Sequence, residues 1–252
     1  MNSIVLQLMN RSNSLYHFTG WISLALLIFM GCQDKSTREI DEMETEMMTD
    51  TVRQPIDYLA LGDSYTIGED VLASARYPVQ LSDRLKMDGF SMRQTKIIAQ
   101  TGWRTDNLIQ SIINQSLRDT FELVSLLIGV NNQFQNRPIS TYRQEFSQLL
   151  NRSVDLAGGR PNRVFVFSIP DYGFTPFGNN NQPSISMEID SFNAANRELT
   201  KAAGISWFDI TPISRRGLDE PNLIAGDGLH PSGEMYAEWI ETYYAEIKAK
   251  LK

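Results

Sequence analysis

Short apolar runs alternate with longer amphipathic segments from Ile56 to the end of the chain, and this alternation constrains the fold more than any other sequence feature. The apolar runs predict five strands, at residues 56–61, 95–100, 121–129, 163–169 and 206–210. The amphipathic segments predict five helices, at residues 78–87, 105–116, 142–156, 187–203 and 232–251. Strands that alternate with helices favour a doubly wound architecture, in which a parallel sheet is covered by helices on both faces.

Polar loops at one edge of this predicted sheet are the places to look for function, because ligands of such sheets bind beyond the carboxyl ends of the strands. Four of these loops directly follow a predicted strand: GDSYTIGE, TGWRTDN, GVNNQFQN and PDYGFTPFGNN. A fifth, AGDGLHPS, comes further along the chain, just before the last predicted helix.

Ser64 in the first loop and His230 in the last loop are the candidate nucleophile and base. A serine hydroxyl becomes a useful nucleophile only beside a base, and the chain contains just two histidines. The other one, His17, lies in an N-terminal segment that we expect to be removed. Asp227 precedes His230 by three residues in a glycine-containing turn, so its carboxylate can orient the imidazole and stabilise the protonated form.

Acyl transfer also requires hydrogen-bond donors for the negative charge that develops on the former carbonyl oxygen. The backbone N–H of Ser64 is one candidate. Gly102, in the loop after the second predicted strand, can present its N–H closely because it has no side chain. Asn131, in the loop after the third strand, offers a side-chain amide donor.

Four motifs together resemble the sequence blocks of the SGNH hydrolases, also called GDSL esterases or lipases. They are GDSYT at residues 62–66, Gly102, GVN at residues 129–131 and DGLH at residues 227–230. The resemblance covers residues 56–250 and implies a flavodoxin-like three-layer α/β/α sandwich with a five-stranded parallel sheet, in a domain of residues 55–252.

The resemblance also implies a role for each matched residue. Ser64 is the expected nucleophile, His230 the base and Asp227 its partner, whereas the Ser64 N–H, the Gly102 N–H and the Asn131 side chain form the expected oxyanion hole. One position departs from the family pattern, because Asn132 stands where these proteins often have aspartate. This departure leaves open the local hydrogen bonding and the substrate preference nearby.

The implied activity is hydrolysis of a carboxylic ester through an acyl-enzyme, with a small acyl ester, a lysophospholipid or an acetylated glycan as substrate. Trp103, Arg104, Tyr172 and Phe174 are candidate substrate-binding residues, since they lie in the loops beside the site. Two alternatives remain at this stage: an acyltransferase that uses the same triad, and a surface lipoprotein that uses the cleft only to bind ligands. The complete triad argues against the second, because binding alone needs no nucleophile and base.

The N-terminal region predicts export and lipid anchoring rather than a part of the fold. Residues 21–30 form an apolar run too short to span a bilayer comfortably but suited to a signal peptide of residues 1–31. Cys32, the only cysteine, follows directly, and this resembles the lipobox of bacterial lipoproteins, with Phe29 where leucine is usual. Cys32 is then lipidated and begins an acidic flexible tether, residues 32–54, unless the run is an uncleaved membrane anchor. We expect a location in the bacterial cell envelope, on its periplasmic or outer-surface side.

Composition excludes several classes of function. The formal net charge is −7, which disfavours a nucleic-acid partner because such a partner requires a basic surface. The sequence has no Walker loop, no dinucleotide-binding glycine motif and no HExxH motif, so we expect no cofactor. With a single histidine and no second thiol after the leader, we also expect no transition-metal site. The expected partners are an ester substrate and a membrane, and the oligomeric state is open.

Overall fold

A computed structural model of the protein describes residues 54–115, 117 and 120–252. The predicted signal peptide, Cys32 and nearly all of the predicted tether lie outside these residues. The described residues form a five-stranded sheet, and all five predicted strands are present. The strands are β1 (Ile56–Gly62), β2 (Met92–Ala99), β3 (Leu123–Leu127), β4 (Val164–Phe167) and β5 (Ser206–Phe208).

All neighbouring strands pair in parallel, in the order β2-β1-β3-β4-β5. This is the strand order of flavodoxin-like folds, and the direction of winding reverses between β1 and β3. The loops after those two strands therefore flank the crevice in which such sheets bind ligands. The predicted flavodoxin-like α/β architecture is confirmed.

Among the described residues the long α-helices follow the prediction closely, whereas three short α-helices were not predicted. In chain order the helices are α1 (Ser64–Ile67), α2 (Tyr77–Met87), α3 (Thr105–Asn114), α4 (Val130–Phe134), α5 (Ile139–Leu156), α6 (Gln182–Ala202), α7 (Thr211–Ser214) and α8 (Gly233–Ala249). The predicted start of α8 shifts by one residue because Ser232 is its N-cap, whose hydroxyl accepts the N–H groups of Glu234 and Met235. The missed helices α1, α4 and α7 have one turn each, too short to show a helical period.

Helices cover both faces of the sheet. Every residue of β1 is buried, and successive side chains of a strand point to opposite faces. One layer contains α2 packed against α8, and here the Tyr77 and Trp239 rings meet Phe167 of β4 at centroid distances of 5.4 and 6.0 Å. In the other layer α5 packs against α3 and α6, with the Tyr142 and Phe192 rings 4.9 Å apart. The packing of these two helix layers against the sheet fixes the positions of the strand ends from which the polar loops extend.

Two further features concern the described residues only. None of their helices combines the length and the apolar character that crossing a bilayer requires. No group of three or more histidine, cysteine, aspartate or glutamate side chains in this part of the chain is arranged to hold a metal ion.

Candidate active site

Ser64 is the first residue of α1, in a sharp turn directly after β1. The turn requires glycine at position 62, because a Cβ there would lie 2.1 Å from the Thr66 hydroxyl and 2.4 Å from the Leu127 carbonyl oxygen. Asp63 is the N-cap, and its Oδ1 accepts the Tyr65 N–H at 3.0 Å. Because the first N–H groups of a helix have no acceptor within the helix, the Ser64 N–H is available as a donor.

The Asp63 carboxyl group beneath this turn is fully buried, and its Oδ2 has no hydrogen-bond partner among the described residues. Burial raises the pKa of Asp63 from 3.8 to about 7, although the N–H groups of Tyr65 and Gly129 act in the opposite direction. A titratable group with a perturbed pKa therefore lies next to the candidate nucleophile, and no sequence pattern indicates it.

The Asp227 carboxylate organises the turn that carries His230. Oδ1 of Asp227 accepts the N–H groups of Leu229 at 2.9 Å and His230 at 3.0 Å, whereas Oδ2 lies 2.5 Å from His230 Nδ1. Burial acts to raise the pKa of Asp227, but the hydrogen bonds from His230 and Leu229 outweigh it, so this pKa lies below its ordinary value. Asp227 is consequently ionised at neutral pH and accepts a hydrogen bond from Nδ1–H, which leaves Nε2 as the acceptor of the ring.

A single cavity of about 140 Å³ collects residues from all four motif loops. Ser64, Gly102, Asn131 and His230 all line it, and Asp227 lies behind the imidazole. The Tyr65 ring packs edge-on against His230 with the ring centroids 5.8 Å apart.

Within the described part of the chain, the Ser64 hydroxyl and the His230 ring are not hydrogen-bonded to each other. Contacts between a nucleophile and its base commonly tighten only when substrate is bound. The structure thus brings the four predicted lining residues into one cavity, and we expect the hydrogen bond between Ser64 and His230 to form when substrate binds.

Hydrogen bonds from α4 and its C-cap Gln135 hold Asn131 and Gly102, the two oxyanion candidates outside the Ser64 turn. The Asn131 Nδ2 donates to the Trp103 carbonyl oxygen at 3.0 Å, and Gln135 Nε2 donates to the Gly102 carbonyl oxygen at 3.2 Å. Gly102 itself has a φ of +82°, a conformation that suits glycine, and it lines the cavity. An amide group carries two N–H donors, so Asn131 retains one after its bond to Trp103.

Asn132, which stands where the family often has aspartate, uses both polar atoms of its amide in hydrogen bonds to Thr105. The residue is buried, its Oδ1 accepts the Thr105 N–H at 3.1 Å, and its Nδ2 donates to the Thr105 hydroxyl at 2.6 Å. The Thr105 hydroxyl in turn donates to Glu145 of α5. The amide donor of Asn132 therefore completes a chain of hydrogen bonds that holds the start of α3.

Of the four predicted substrate-binding residues, only Tyr172 lines the cavity. Arg104 instead donates to Asp106 at 2.7 Å and to Gln135 at 2.5 Å, so its charge is already paired. The Trp103 side chain is partly buried against the core, and Phe174 is half-buried outside the cavity. We therefore correct the prediction for Trp103, Arg104 and Phe174.

Apolar side chains form most of the cavity wall, and none of the described residues that line it is a lysine or an arginine. The apolar wall residues are Tyr65, Val130, Phe134, Tyr172, Phe177 and Leu229. Phe134 and Phe177 are each about half exposed, with their ring centroids 6.2 Å apart, and Tyr172 packs near both. Sequence reasoning missed Val130, Phe134 and Leu229, although each is adjacent or close to a predicted site residue.

Comparison with known proteins identifies the family of the chain. Residues 60–238 match the family described as GDSL-like lipase/acylhydrolase. A search of curated protein sequences finds no match.

Solved structures of similar fold include TesA, a lipase/acylhydrolase and an acetylxylan esterase. TesA is 14% identical, with a TM-score of 0.62 over 77% of this chain and 99% of its own. The lipase/acylhydrolase from Enterococcus faecalis is 20% identical, with a TM-score of 0.60 over 78% and 97% of the two chains. The acetylxylan esterase Axe2 from Geobacillus stearothermophilus is 16% identical, with a TM-score of 0.58 over 76% and 94%. At these identities the similarity establishes the shared fold.

Proposed function

Because the chain belongs to the GDSL-like lipase/acylhydrolase family, we propose that it hydrolyses carboxylic esters through a triad of Ser64, His230 and Asp227. One observation carries the proposal: Ser64, His230 and two oxyanion candidates line the same cavity, while Asp227 holds the far side of the imidazole. A nucleophile, an oriented base and donors for a developing oxyanion are the parts that acyl transfer requires.

Acylation begins when Nε2 of His230 removes the Ser64 proton as Oγ attacks the ester carbonyl carbon. The carbonyl oxygen becomes an oxyanion, which accepts hydrogen bonds from the N–H groups of Ser64 and Gly102 and from the Asn131 amide. Asp227 stabilises the imidazolium, which then protonates the leaving alcohol as the carbon–oxygen bond breaks. In the second half, His230 activates a water molecule that releases the acid and restores Ser64.

Cavity size and lining favour a short, neutral acyl group. A volume of about 140 Å³ is close to that of an engineered cavity that accepts benzene, a group of six carbon atoms. The described wall is mainly apolar and includes no lysine or arginine. The carboxylates of Glu69 and Asp70 lie beside its lining residue Thr101 and the Asp227 turn. Acetyl to butyryl esters therefore fit this site better than long-chain or anionic acyl esters.

A series of p-nitrophenyl esters from acetate to octanoate tests this proposal with the purified protein. We expect kcat/KM to be highest for acetate or butyrate and to fall by about tenfold or more at octanoate, because the extra methylenes exceed the cavity. Ser64→Ala should abolish turnover, whereas Ser191→Ala, at an exposed position of α6, should not change it. Undiminished turnover by Ser64→Ala would contradict the proposed mechanism.

Natural substrate classes can be compared in the same assay. Acetylated xylo-oligosaccharides deserve inclusion because one protein of similar fold is named as an acetylxylan esterase. A lysophospholipid should be a poor substrate if the cavity sets the acyl length. Adding an excess of a simple alcohol separates hydrolysis from transfer, since a dominant new ester product would favour the acyltransferase alternative.

We also propose that the protein is exported and anchored through a lipidated Cys32. The support is the sequence alone: an apolar run of signal-peptide length ends directly before the only cysteine. Mass spectrometry of the mature protein should find acyl chains on an N-terminal Cys32, and Cys32→Ser should move the protein from the membrane to the soluble fraction. An N-terminus that still includes residues 1–31 would contradict this proposal.

A further inference from the structure

Two successive carboxylates, Glu69 and Asp70, follow the nucleophile helix α1 and reach two different loops of the site. Glu69 accepts a hydrogen bond from the hydroxyl of Thr101, the residue just before Gly102. Asp70 Oδ2 accepts the backbone N–H of Asp227 at 2.7 Å. Neither contact lies within an element or between neighbours in sequence, since Asp70 and Asp227 are 157 residues apart.

The Asp70 contact acts on the base. Asp227 uses both carboxylate oxygens to fix the His230 backbone and ring, so its own backbone position sets where the imidazole lies. The hydrogen bond to Asp70 ties that backbone to the segment that leaves the Ser64 helix. Gly226 allows the approach, because a Cβ there would lie 3.1 Å from Asp70 Oδ2.

Asp70 adopts a backbone conformation that residues other than glycine, asparagine and aspartate rarely take. Its φ is +57°, in the left-handed region, where such outliers cost free energy and concentrate at functional sites. The conformation places consecutive side chains so that Glu69 and Asp70 reach different loops. This backbone outlier is a second observation, independent of the hydrogen bonds, and it supports a functional role for the segment.

The Glu69 contact acts on the oxyanion hole. Thr101 lines the cavity beside Gly102, whose N–H is one of the donors in the proposed mechanism. On its other side the same turn is held by Gln135, the C-cap of α4, which donates to the Gly102 carbonyl oxygen. Glu69 therefore fixes the Thr101–Gly102 turn from the side of the nucleophile helix.

We propose that Glu69 and Asp70 are positioning residues. They hold the Thr101–Gly102 turn and the Asp227–His230 turn in fixed positions relative to Ser64. The inference rests on the proposed esterase function and extends it to how three separate loops keep their relative positions. Neither residue touches the substrate; each acts through the residue to which it is hydrogen-bonded. Loss of either contact should lower kcat with little change in KM, because the apolar wall that binds the acyl group is left in place.

Three variants separate the Asp70 hydrogen bond from its charge and its backbone conformation. Asp70→Gly and Asp70→Asn both remove the charge, and both residues accept a φ of +57°. Only asparagine keeps an oxygen that can accept the Asp227 N–H. Asp83→Asn, at an exposed position of α2, controls for removal of a surface carboxylate.

We expect Asp70→Gly to lower kcat for p-nitrophenyl acetate by about 10- to 100-fold, since misplacing a reacting group by about 1 Å can cost 10²-fold. Asp70→Asn should recover most of that loss, and KM should stay within about twofold in both. Equal kcat values for the glycine and asparagine variants would overturn the Asp70 assignment. So would a change confined to the midpoint of thermal unfolding, which a merely structural hydrogen bond predicts.

Glu69 is tested independently, should Asp70→Gly fail to fold. Glu69→Ala and Thr101→Val should lower kcat to a similar extent, and Glu69→Gln should recover much of the lost activity. The double variant of Glu69→Ala and Thr101→Val should be no less active than either of these single variants. Additive losses in the double variant would overturn the Glu69 assignment. Wild type and Ser64→Ala are measured alongside: equal activity in these two proteins would refute the proposed triad itself, and the positioning roles with it.

Discussion

Replacing Asp227 with asparagine should disable the base while leaving the turn that carries it intact. In the structure, Oδ1 accepts two backbone N–H groups, from Leu229 and His230, and Oδ2 faces Nδ1 of the ring. Only the carbonyl oxygen of an asparagine can accept the two N–H groups, so its NH₂ group must point at Nδ1. An NH₂ group cannot accept the Nδ1 proton, and the imidazole must switch to the tautomer protonated on Nε2.

The expected loss follows from that switch. An imidazole protonated on Nε2 cannot take the Ser64 proton, and the same substitution in a serine protease triad lowers kcat by about 10⁴. At about 1.36 kcal/mol for each factor of ten, this corresponds to about 5.4 kcal/mol of transition-state stabilisation. The free energy of unfolding should change much less, because both backbone contacts of Oδ1 survive the substitution.

Steady-state hydrolysis of p-nitrophenyl acetate at pH 7.5 measures the effect, with His230→Ala as the reference for complete loss of the base. We expect Asp227→Asn to approach the His230→Ala rate, and thermal unfolding should confirm that both proteins are folded. A kcat for Asp227→Asn within tenfold of wild type would refute the reasoning. Such a result would mean that the asparagine side chain still accepts a hydrogen bond from Nδ1–H of His230.

Three further predictions concern the oxyanion hole, the buried carboxyl group and the cavity wall. Asn131→Ala should lower kcat by about 10²–10³ through loss of one oxyanion donor, and a loss below tenfold would remove Asn131 from the oxyanion hole. Because the pKa of Asp63 is about 7 when folded and 3.8 as the ordinary value, its stabilising contribution is complete below about pH 4 and is lost as the pH rises through 7. Urea unfolding should therefore show the free energy of unfolding falling by about 2–3 kcal/mol more in wild type than in Asp63→Asn between pH 5 and pH 8, and parallel profiles would contradict the burial argument. Phe134→Ala and Phe177→Ala should each raise the octanoate to acetate ratio of kcat/KM by opening the cavity, and an unchanged ratio would show that other residues set the acyl length.

Sequence reasoning captured the features that have a periodic or chemical basis. The strands and long helices follow from hydrophobic spacing, and only their ends differ from the prediction, as for α5, which begins at Ile139 rather than residue 142. His230 stands out because residues 32–252 contain no other imidazole, and a serine nucleophile requires a base. The structure places it in the same cavity as Ser64.

Features that depend on contacts between distant loops were not accessible from the sequence. Arg104 is a candidate substrate-binding residue in the sequence, but it donates to Gln135, which lies 31 residues away, and only the fold shows that contact. The bond between Asp70 and Asp227 joins residues whose proximity depends on the whole sheet. Short helices such as α4 also escape prediction, because their stability comes from tertiary packing rather than from local propensity.

Covalent labelling with a fluorophosphonate tests the central claim, that Ser64 is a nucleophile activated by His230, most directly. The reagent loses fluoride as a serine oxygen bonds to phosphorus, and mass spectrometry of the digested protein locates the modified residue. The account predicts a single adduct on Ser64, no adduct in Ser64→Ala, and labelling of His230→Ala slowed by several orders of magnitude. A folded wild-type protein that remains unlabelled, or a label on another residue, would contradict it.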